Sequence, residues 1–390
     1  MVASPGPSLQ VDALRLILED PVLAAVLAAL VVVLVALGWL VVRRLRRTPG
    51  EKLIGLLSRY DEIAVLMHPN PDPDAMSAAL ALDALADSAD TDTALHYPGQ
   101  IRHQENRAFE TVLDLEFDRI ESSTDLEADT VVLVDHNEAR GFSRAESIDP
   151  VAVVDHHPGG GTGREFTDVR PENGACASIF AEYFDEMGWD PVSPEESESL
   201  ENGSKTIDPR VSTGLLYGIQ SDTKSLTKGC SPAEFRASEY LYPGVDQDRL
   251  DRIANPQVDA EVLDVKATAI QERDVRNAFA VSDVGHVSNV DAIPQAADEL
   301  LRLEGVTAVV VLGDKDGRIH LSGRSRDDRV HMGKTLRGVV EDIPMAGAGG
   351  HARMGGGQLS VDHMEGIGPG DGLTRHQLKE DLFTAMTGDI

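Results

Sequence analysis

Carboxylates and imidazoles stand directly after four largely apolar segments of the sequence. They are the oxygen and nitrogen ligands that divalent metals take. The segments are residues 62–67, 130–134, 151–154 and 212–221, and the side chains that follow them are His68, Asp72, Asp74, Asp135, Asp155, His156, His157 and Asp222. A single Asp after a strand is usually a cap or turn residue. Four such segments in one chain, with His-x-x-x-Asp-x-Asp in one and Asp-His-His in another, favour a metal centre instead.

Three of these segments predict the elements that would bring the ligands together. Residues 62–67, 130–134 and 151–154 are short apolar runs with β-branched residues and turn residues at their ends, which is typical of buried parallel strands. Ligands of open α/β sheets bind just beyond the carboxyl ends of the strands. Residues 212–221 fit either a helix or a strand. We therefore predict an α/β domain whose parallel sheet collects these side chains at one edge.

The motifs resemble those of the DHH phosphoesterase superfamily, which includes RecJ exonucleases, NrnA-type oligoribonucleases and GdpP-type cyclic-dinucleotide phosphodiesterases. His68-Pro-Asn-Pro-Asp-Pro-Asp74 is similar to its first motif, Asp135 to the second, Asp155-His156-His157 to the third and Asp222 to the fourth. Residues 347–357, Gly-Ala-Gly-Gly-His-Ala-Arg-Met-Gly-Gly-Gly, resemble the glycine-rich signature of the associated substrate-binding domain. The resemblance covers residues 50–390.

This resemblance implies two divalent metal ions, with Mn²⁺ preferred and Mg²⁺ or Co²⁺ as alternatives, which convert a shared water into hydroxide. The implied ligands are His68 and Asp72 for one ion, Asp74, His156 and Asp222 for the other, and Asp135 as a bridge. Asp135 is therefore expected to be catalytic as well as a ligand.

Two further catalytic roles follow from the same resemblance. Asp155 is expected to orient a histidine through its ring N–H. His157 is expected to face the phosphate as a hydrogen-bond donor or as the proton source for the leaving oxygen. His136, which follows Asp135, is expected to be incidental.

Substrate contacts are implied for the C-terminal domain. We predict a glycine loop at 347–357, whose backbone N–H groups can approach phosphate closely. Ala348 replaces one glycine that is usual in the family. The implied substrate-binding residues are Arg324, Ser325, Gly349, Gly350 and His351.

Composition narrows the classes of function. The net charge is -31 and 42% of the 390 residues are hydrophobic, which is ample for two cored domains and argues against disorder. Such acidity fits a cytoplasm rich in salt, where surface carboxylates are screened, so we expect an extreme halophile, by resemblance one of the haloarchaea. It also disfavours general binding of long nucleic acid.

An apolar segment of 21 residues at positions 22–42 is long enough to span a bilayer, and the sequence Arg-Arg-Leu-Arg-Arg at 43–47 follows it. The positive-inside rule predicts a single-pass anchor in the cell membrane, with the N-terminus outside and the catalytic domains in the cytoplasm. The predicted organisation is an N-terminal tail and anchor at 1–47, a DHH catalytic domain at 51–255, a helical connector at 256–277 and a smaller α/β substrate-binding domain at 278–390.

Together these features predict a membrane-anchored phosphodiesterase acting on small nucleotides: cyclic or linear dinucleotides, a nucleoside bisphosphate or short oligonucleotides. Two alternatives stay open, a RecJ-like single-strand exonuclease and a nucleotide sensor without catalysis. The resemblance also suggests a homodimer.

Overall fold

The computed structural model describes residues 47–101, 103–197, 205–366 and 372–388, together with nine positions between 22 and 35. The chain divides into two compact units, Met1–Pro256 and Gln257–Ile390. Among the described residues no helix is both long enough and apolar enough to cross a membrane. Most of the predicted span at 22–42 lies outside the described residues.

Six parallel strands form the main sheet of the first unit: β1 (Glu62–Leu66), β2 (Asp92–Pro98), β3 (Asp118–Ile120), β4 (Val131–Val134), β5 (Ala152–Asp155) and β6 (Phe166–Val169). Their order across the sheet is β3-β2-β1-β4-β5-β6, so the order reverses at β1. In open α/β sheets ligands bind at such a reversal, beyond the carboxyl ends of the strands. The predicted parallel sheet is confirmed, and β1, β4 and β5 are the three predicted strands.

The α-helices of the first unit from residue 47 onward are α1 (Pro49–Leu57), α2 (Pro73–Asp87), α3 (Gln104–Val112), α4 (Cys176–Glu186), α5 (Pro194–Ser197), α6 (Pro209–Asp222), α7 (Pro232–Leu241) and α8 (Gln247–Ala254). A two-stranded pair, β7 (Asp190–Pro191) and β8 (Thr206–Ile207), lies between α4 and α6 in sequence. Residues 212–221, which fitted a helix or a strand, are helical.

The core of the first unit explains why α2 and α6 lie so close to one another. Nearly all of α2 is buried, and its alanines and leucines pack with Leu215 and Ile219 of α6. A side chain at Gly218 of α6 would meet Ser77 Oγ at 2.4 Å, so only glycine allows this approach. Because α2 begins and α6 ends at the carboxyl edge of the sheet, their packing brings distant parts of the sequence to one place.

The second unit contains a mixed sheet: β9 (Arg273–Arg276), β10 (Phe279–His286), β11 (Ala308–Lys315), β12 (Arg318–Ser325), β13 (Gly347–Gly350) and β14 (Met354–Ser360). The order is β13-β14-β12-β11-β10-β9, with β10 and β11 parallel and the other neighbours antiparallel. Its helices are α9 (Ala260–Gln271), α10 (Ala292–Leu300), α11 (Met332–Val340), α12 (Val361–Met364) and α13 (Arg375–Thr387).

Two segments of the second unit differ from the predicted structure. Residues 256–277, predicted as a helical connector, contain α9 and then β9, because Val262, Val265 and Ala269 of α9 are buried in the core of this unit. The glycine-rich stretch at 347–357 is a β-hairpin rather than a loop, since β13 pairs antiparallel with β14. Ala348 fits this hairpin because its cross-strand partner is Gly357, which has no side chain.

Candidate metal centre

The sheet and two helix ends deliver the predicted ligands to the carboxyl edge of the first unit. His68, Asp135 and His156 follow β1, β4 and β5, which are neighbours in the sheet. Asp72 is the N-cap of α2, where its Oδ1 accepts the N–H groups of Asp74 and Ala75, both at 3.1 Å. The remaining ligands lie at helix ends, Asp74 in the first turn of α2 and Asp222 at the last residue of α6.

Asp135 lies between two histidines. Its Oδ2 is 3.4 Å from Nε2 of His68, and its Oδ1 is 3.3 Å from Nε2 of His156. The residue has a left-handed backbone conformation, with φ of 60°, and its N–H donates to the carbonyl of Val154 at 2.9 Å. This turn directs a buried carboxylate, 1% exposed, across the ends of β1, β4 and β5.

The candidate ligands form groups that share Asp135 or His156. One group is His68, Asp72 and Asp135, a second is Asp74, His156 and Asp222, and a third is Asp135, His156 and His157. Within each group the ligand atoms lie within 4.8 Å of one another. The first two groups are the two ligand sets implied by the resemblance, and Asp135 stands between them.

Unsatisfied atoms show that this cluster fits metal ions. Both carboxylate oxygens of Asp135 and Nε2 of His156 are buried, and none of them has a hydrogen-bond partner among the described residues. Buried polar atoms are ordinarily paired, so an unpaired set calls for an unseen partner such as an ion. Carboxylates mixed with imidazoles suit Mn²⁺ or a similar ion better than Ca²⁺.

The electrostatics of the cluster also call for cations. Burial and the neighbouring carboxylates of Asp72 and Asp135 raise the pKa of Asp222 to about 7. Burial, reinforced by Asp135 and Asp222, also raises the pKa of Asp74 well above its usual range. These shifts mean that the carboxylates resist being ionised together unless positive charge is supplied.

In the protein without metal the histidines supply that positive charge. Burial lowers the pKa of His68, but Asp135 and Asp72 outweigh burial and raise it to about 11. Burial likewise opposes protonation of His156, whose pKa the carboxylates of Asp135 and Asp74 raise to about 10. A metal ion would replace these protons, because a ligating imidazole must be neutral.

Contacts behind the cluster fix the orientation of the ligands. Nδ1 of His68 is 3.0 Å from the carbonyl of Pro69, and Nδ1 of His156 is 3.2 Å from the carbonyl of Asn173. Each contact favours a proton on Nδ1 and leaves Nε2 to face the cluster. The fully buried Asp74 accepts the N–H groups of Cys176 and Ala177 at 2.7 and 2.8 Å, at the N-terminus of α4.

Asp155 orients His157 rather than His156. Its Oδ1 lies 2.9 Å from Nδ1 of His157 and accepts the backbone N–H groups of His156 and His157 at 2.8 and 3.0 Å. The side chain of His157 is 47% exposed, while Asp155 is fully buried. The hydrogen bond from His157 to Asp155, opposed by partial burial, raises the pKa of His157.

Asn137 was not predicted, although it supports the Asp-His-His segment. Its Nδ2 donates to Oδ2 of Asp155 at 2.6 Å and to the carbonyl of His157 at 3.2 Å. In the sequence, its position two residues after Asp135 is the feature that could have identified it. His136 is 1% exposed, and its Nδ1 lies 2.9 Å from the carbonyl of Val134. Burial lowers the pKa of His136 to about 4.

The predicted substrate contacts of the second unit lie together at one end of β12 and the β13–β14 hairpin. Arg324 pairs with Met354 across the strands, and the N–H of Ser325 donates to the carbonyl of Arg353 at 2.8 Å. Gly349 and Gly350 are in β13, and His351 follows at the hairpin tip. The guanidinium of Arg324 is already engaged, with Nε 2.6 Å from Oδ1 of Asp298.

Comparison with known proteins supports this description. The family model described as "DHH family, N-terminal domain" matches residues 62–219, and the "DHHA1 domain" model matches residues 276–367. Uncharacterized protein MJ1633 of Methanocaldococcus jannaschii is 32% identical over 348 residues, which are 89% of this chain and 66% of that protein.

Two relatives have named activities. The cyclic-di-AMP phosphodiesterase GdpP of Geobacillus thermodenitrificans is 28% identical over 332 residues, and the cyclic-di-AMP phosphodiesterase PdeA of Listeria monocytogenes is 23% identical over 336 residues. Each alignment covers 80% of this chain and 47% of the relative, so the chain spans about half the length of either enzyme.

A solved structure shows the same fold. The exopolyphosphatase-related protein of Bacteroides fragilis superposes with a TM-score of 0.56 at 18% identity, covering 87% of this chain and 96% of that one. The two domain models also follow one another along the chain in the same order as the two structural units. The chain therefore belongs to the DHH phosphoesterase family.

Proposed function

We propose that this protein is a metal-dependent phosphodiesterase that hydrolyses small nucleotides. The observation that carries the proposal is the position of Asp135, whose two unpaired carboxylate oxygens face Nε2 of His68 and Nε2 of His156. Such a bridge between two ligand groups is the arrangement that a two-metal hydrolase needs.

The ligands divide between two ions. His68 and Asp72 would hold one, Asp74, His156 and Asp222 the other, and Asp135 both, which agrees with the groups of neighbouring ligand atoms. When bound, two divalent ions supply a nucleophilic hydroxide at neutral pH and stabilise charge on the phosphoryl oxygens. Mn²⁺ suits the mixture of carboxylates and imidazoles best, with Mg²⁺ and Co²⁺ as alternatives.

His157 is the proposed proton donor. Asp155 holds Nδ1 of His157 at 2.9 Å, which keeps a proton on that nitrogen and fixes the ring. The raised pKa of His157 keeps a second proton on Nε2 at higher pH than usual. Because the side chain is half exposed, that proton is accessible to a phosphate oxygen or to a leaving oxygen.

Small nucleotides are the proposed substrates. Two relatives are named cyclic-di-AMP phosphodiesterases, and a net charge of -31 opposes binding of long nucleic acid. In the second unit, Arg324, Ser325, Gly349, Gly350 and His351 are the proposed substrate contacts. Arg324 would have to exchange its pairing with Asp298 for a phosphate.

We also propose that residues 22–42 anchor the protein in the cell membrane, with the catalytic domains in the cytoplasm. The described positions between 22 and 35 are helical, and their apolar side chains are exposed, as for Val26 (59%) and Val35 (65%). An exposed apolar helix next to a basic segment suits a bilayer. The proposal predicts that the full chain sediments with membranes and that deletion of residues 1–47 releases it.

The test of activity compares substrates and two variants of the purified chain in high salt with Mn²⁺. Asp135→Ala removes the bridging carboxylate, whereas Asp92→Ala removes an exposed carboxylate at the opposite, amino edge of the same sheet. We expect hydrolysis of cyclic di-AMP or its linear dinucleotide by the wild type and the Asp92 variant, and loss of it in the Asp135 variant.

Three results would contradict the proposal. Undiminished activity of the Asp135 variant would exclude the metal assignment. Preference for a long single strand would indicate an exonuclease. Tight nucleotide binding without turnover in Mn²⁺, Mg²⁺ and Co²⁺ would indicate a sensor.

A further inference from the structure

We infer that Glu234 is a positioning residue for the metal centre, acting through Ser178 and Asn173 on His156 and through the start of α4 on Asp74. The inference rests on the proposed function, because it assumes that these ligands hold metal. Glu234 lies in α7, which carries none of the candidate ligands, and the sequence pattern did not single it out.

The carboxylate of Glu234 is completely buried, and its two oxygens have different partners. Oε2 accepts the N–H of Ser231 at 2.5 Å, which closes the capping box of α7. Oε1 points to a different element: it accepts the N–H of Gly174 at 2.9 Å and the hydroxyl of Ser178 at 2.8 Å. Helix capping therefore accounts for one oxygen only.

From Oε1 a chain of hydrogen bonds leads to a candidate ligand. The hydroxyl of Ser178 could instead donate to the carbonyl of Ala175, which is also 2.8 Å away. The carboxylate of Glu234 is the stronger acceptor of the two. Ser178 Oγ in turn accepts Nδ2 of Asn173 at 2.9 Å. The carbonyl of Asn173 is 3.2 Å from Nδ1 of His156, so the position of Asn173 determines where Nε2 of His156 points.

The same segment holds a second ligand. Cys176 and Ala177 donate their N–H groups to the carboxylate of Asp74, and they lie between Gly174 and Ser178, the two contacts of Oε1. Glu234 thus fixes both sides of the turn that begins α4. His156 and Asp74 belong to the ligand group completed by Asp222, whereas the group of His68, Asp72 and Asp135 has no member that accepts from this turn.

Close packing restricts the position of this turn. A side chain at Gly174 would lie 2.6 Å from the carbonyl of Gly229 and 3.0 Å from Cγ2 of Thr223, the residue after Asp222. The turn is therefore held between the segment after Asp222 on one side and Glu234 on the other. Loss of the Glu234 carboxylate would leave the N–H of Gly174 without its partner in a buried place.

The test measures binding of Mn²⁺ to the full chain by electron paramagnetic resonance and calorimetry, without substrate. Glu234→Gln keeps the volume but places an amide nitrogen against one of the N–H donors. Ser231→Ala is the matched control, because it removes the cap of α7 and leaves Oε1 in place. Ser178→Ala breaks the link to Asn173 while Glu234 stays, and it replaces Glu234→Gln if that variant does not fold.

We expect Glu234→Gln and Ser178→Ala to weaken the binding of one of the two Mn²⁺ ions about 10- to 100-fold. This is the usual effect of losing a group that orients a metal ligand. In these two variants the other ion should bind as in the wild type. In Ser231→Ala both ions should bind as in the wild type. Unchanged binding of both ions in Glu234→Gln and Ser178→Ala alike, or equal weakening of both ions, would overturn the inference. A wild type that binds no second ion would contradict the proposed function itself.

Discussion

Nε2 of His156 lies 3.3 Å from Oδ1 of Asp135, and both atoms are buried without a hydrogen-bond partner in the described part of the chain. A bound ion would ligate both groups and replace the proton that His156 carries in its absence. The metal should therefore stabilise the fold. At an Mn²⁺ concentration one hundred times the dissociation constant, a single site should add about 2.7 kcal/mol to the free energy of unfolding.

Denaturant unfolding with Mn²⁺ and with chelator tests this prediction. The stabilisation by Mn²⁺ should largely disappear in Asp135→Asn, which keeps the size of the side chain but removes its charge. The exposed Asp92→Asn variant is the control and should keep the full stabilisation. If Mn²⁺ stabilised the Asp135 variant as much as the wild type, the buried cluster would not be the binding site.

The pairing of Asp155 with His157 predicts a shift in the pH dependence of hydrolysis. Asp155 raises the pKa of His157, so His157 keeps its acidic proton to higher pH. Asp155→Asn removes that charge and should lower the pKa of His157. The alkaline limb of the kcat/KM profile should then move to lower pH, in parallel with the titration of His157 followed by NMR. An unmoved limb with a lowered His157 pKa would show that His157 is not the proton donor.

Among the three glycines at 159–161, alanine substitutions at neighbouring positions should differ in their effect on stability. A side chain at Gly161 would lie 1.7 Å from the carbonyl oxygen of Asn137, whereas one at Gly160 would meet no described atom within 4 Å. Gly161→Ala should destabilise the fold by about 1–3 kcal/mol and displace Asn137 from Asp155. Gly160→Ala should change stability by less than about 0.5 kcal/mol.

Thermal unfolding and activity of the two alanine variants distinguish these effects. Activity should fall in Gly161→Ala because Asn137 orients Asp155, and it should persist in Gly160→Ala. Equal behaviour of the two variants would mean that the contact with Asn137 does not constrain this segment.

The burial of His96 in β2 predicts that the fold becomes less stable at acid pH. It is fully buried, and neither ring nitrogen has a hydrogen-bond partner among the described residues. Burial lowers the pKa of His96, although Asp118 and Glu127 act in the opposite direction. Below pH of about 6.5 the unfolded chain therefore binds a proton that the folded chain does not. The free energy of unfolding should fall as the pH drops from there, by at most about 1.4 kcal/mol per pH unit from this residue.

Denaturant unfolding between pH 5 and 8 checks this prediction with His96→Leu. The variant has no titrating group at this position, so its stability should fall less steeply than that of the wild type below about pH 6.5. Above that pH the two proteins should show the same pH dependence. Parallel curves throughout the range would show that His96 does not titrate differently in the folded chain.

Local sequence determined the parallel strands and the side chains at their ends. Residues 130–134 and 151–154 are short, largely apolar runs with β-branched residues, which fit strands buried on both faces. Parallel strands necessarily present their carboxyl ends at one edge of the sheet. The acids and histidines after them were therefore predictable as a group. Local pattern did not decide residues 212–221, because a short apolar run has no clear period, and packing against α2 made them helical.

Only the tertiary structure decided which groups support those ligands. Glu234 accepts the N–H of Gly174, 60 residues away in the sequence, and Asn137 donates to Asp155, 18 residues away. Contacts of this kind depend on how α7, α4 and the strands pack, and no local pattern of residue types encodes them. The glycine-rich stretch at 347–357 is the converse case, since its composition suggested a loop and pairing with β12 and within the hairpin made it sheet. Sequence thus specified the chemistry at the strand ends, while packing specified its geometry, because hydrogen bonds between distant segments form only once the core has brought those segments together.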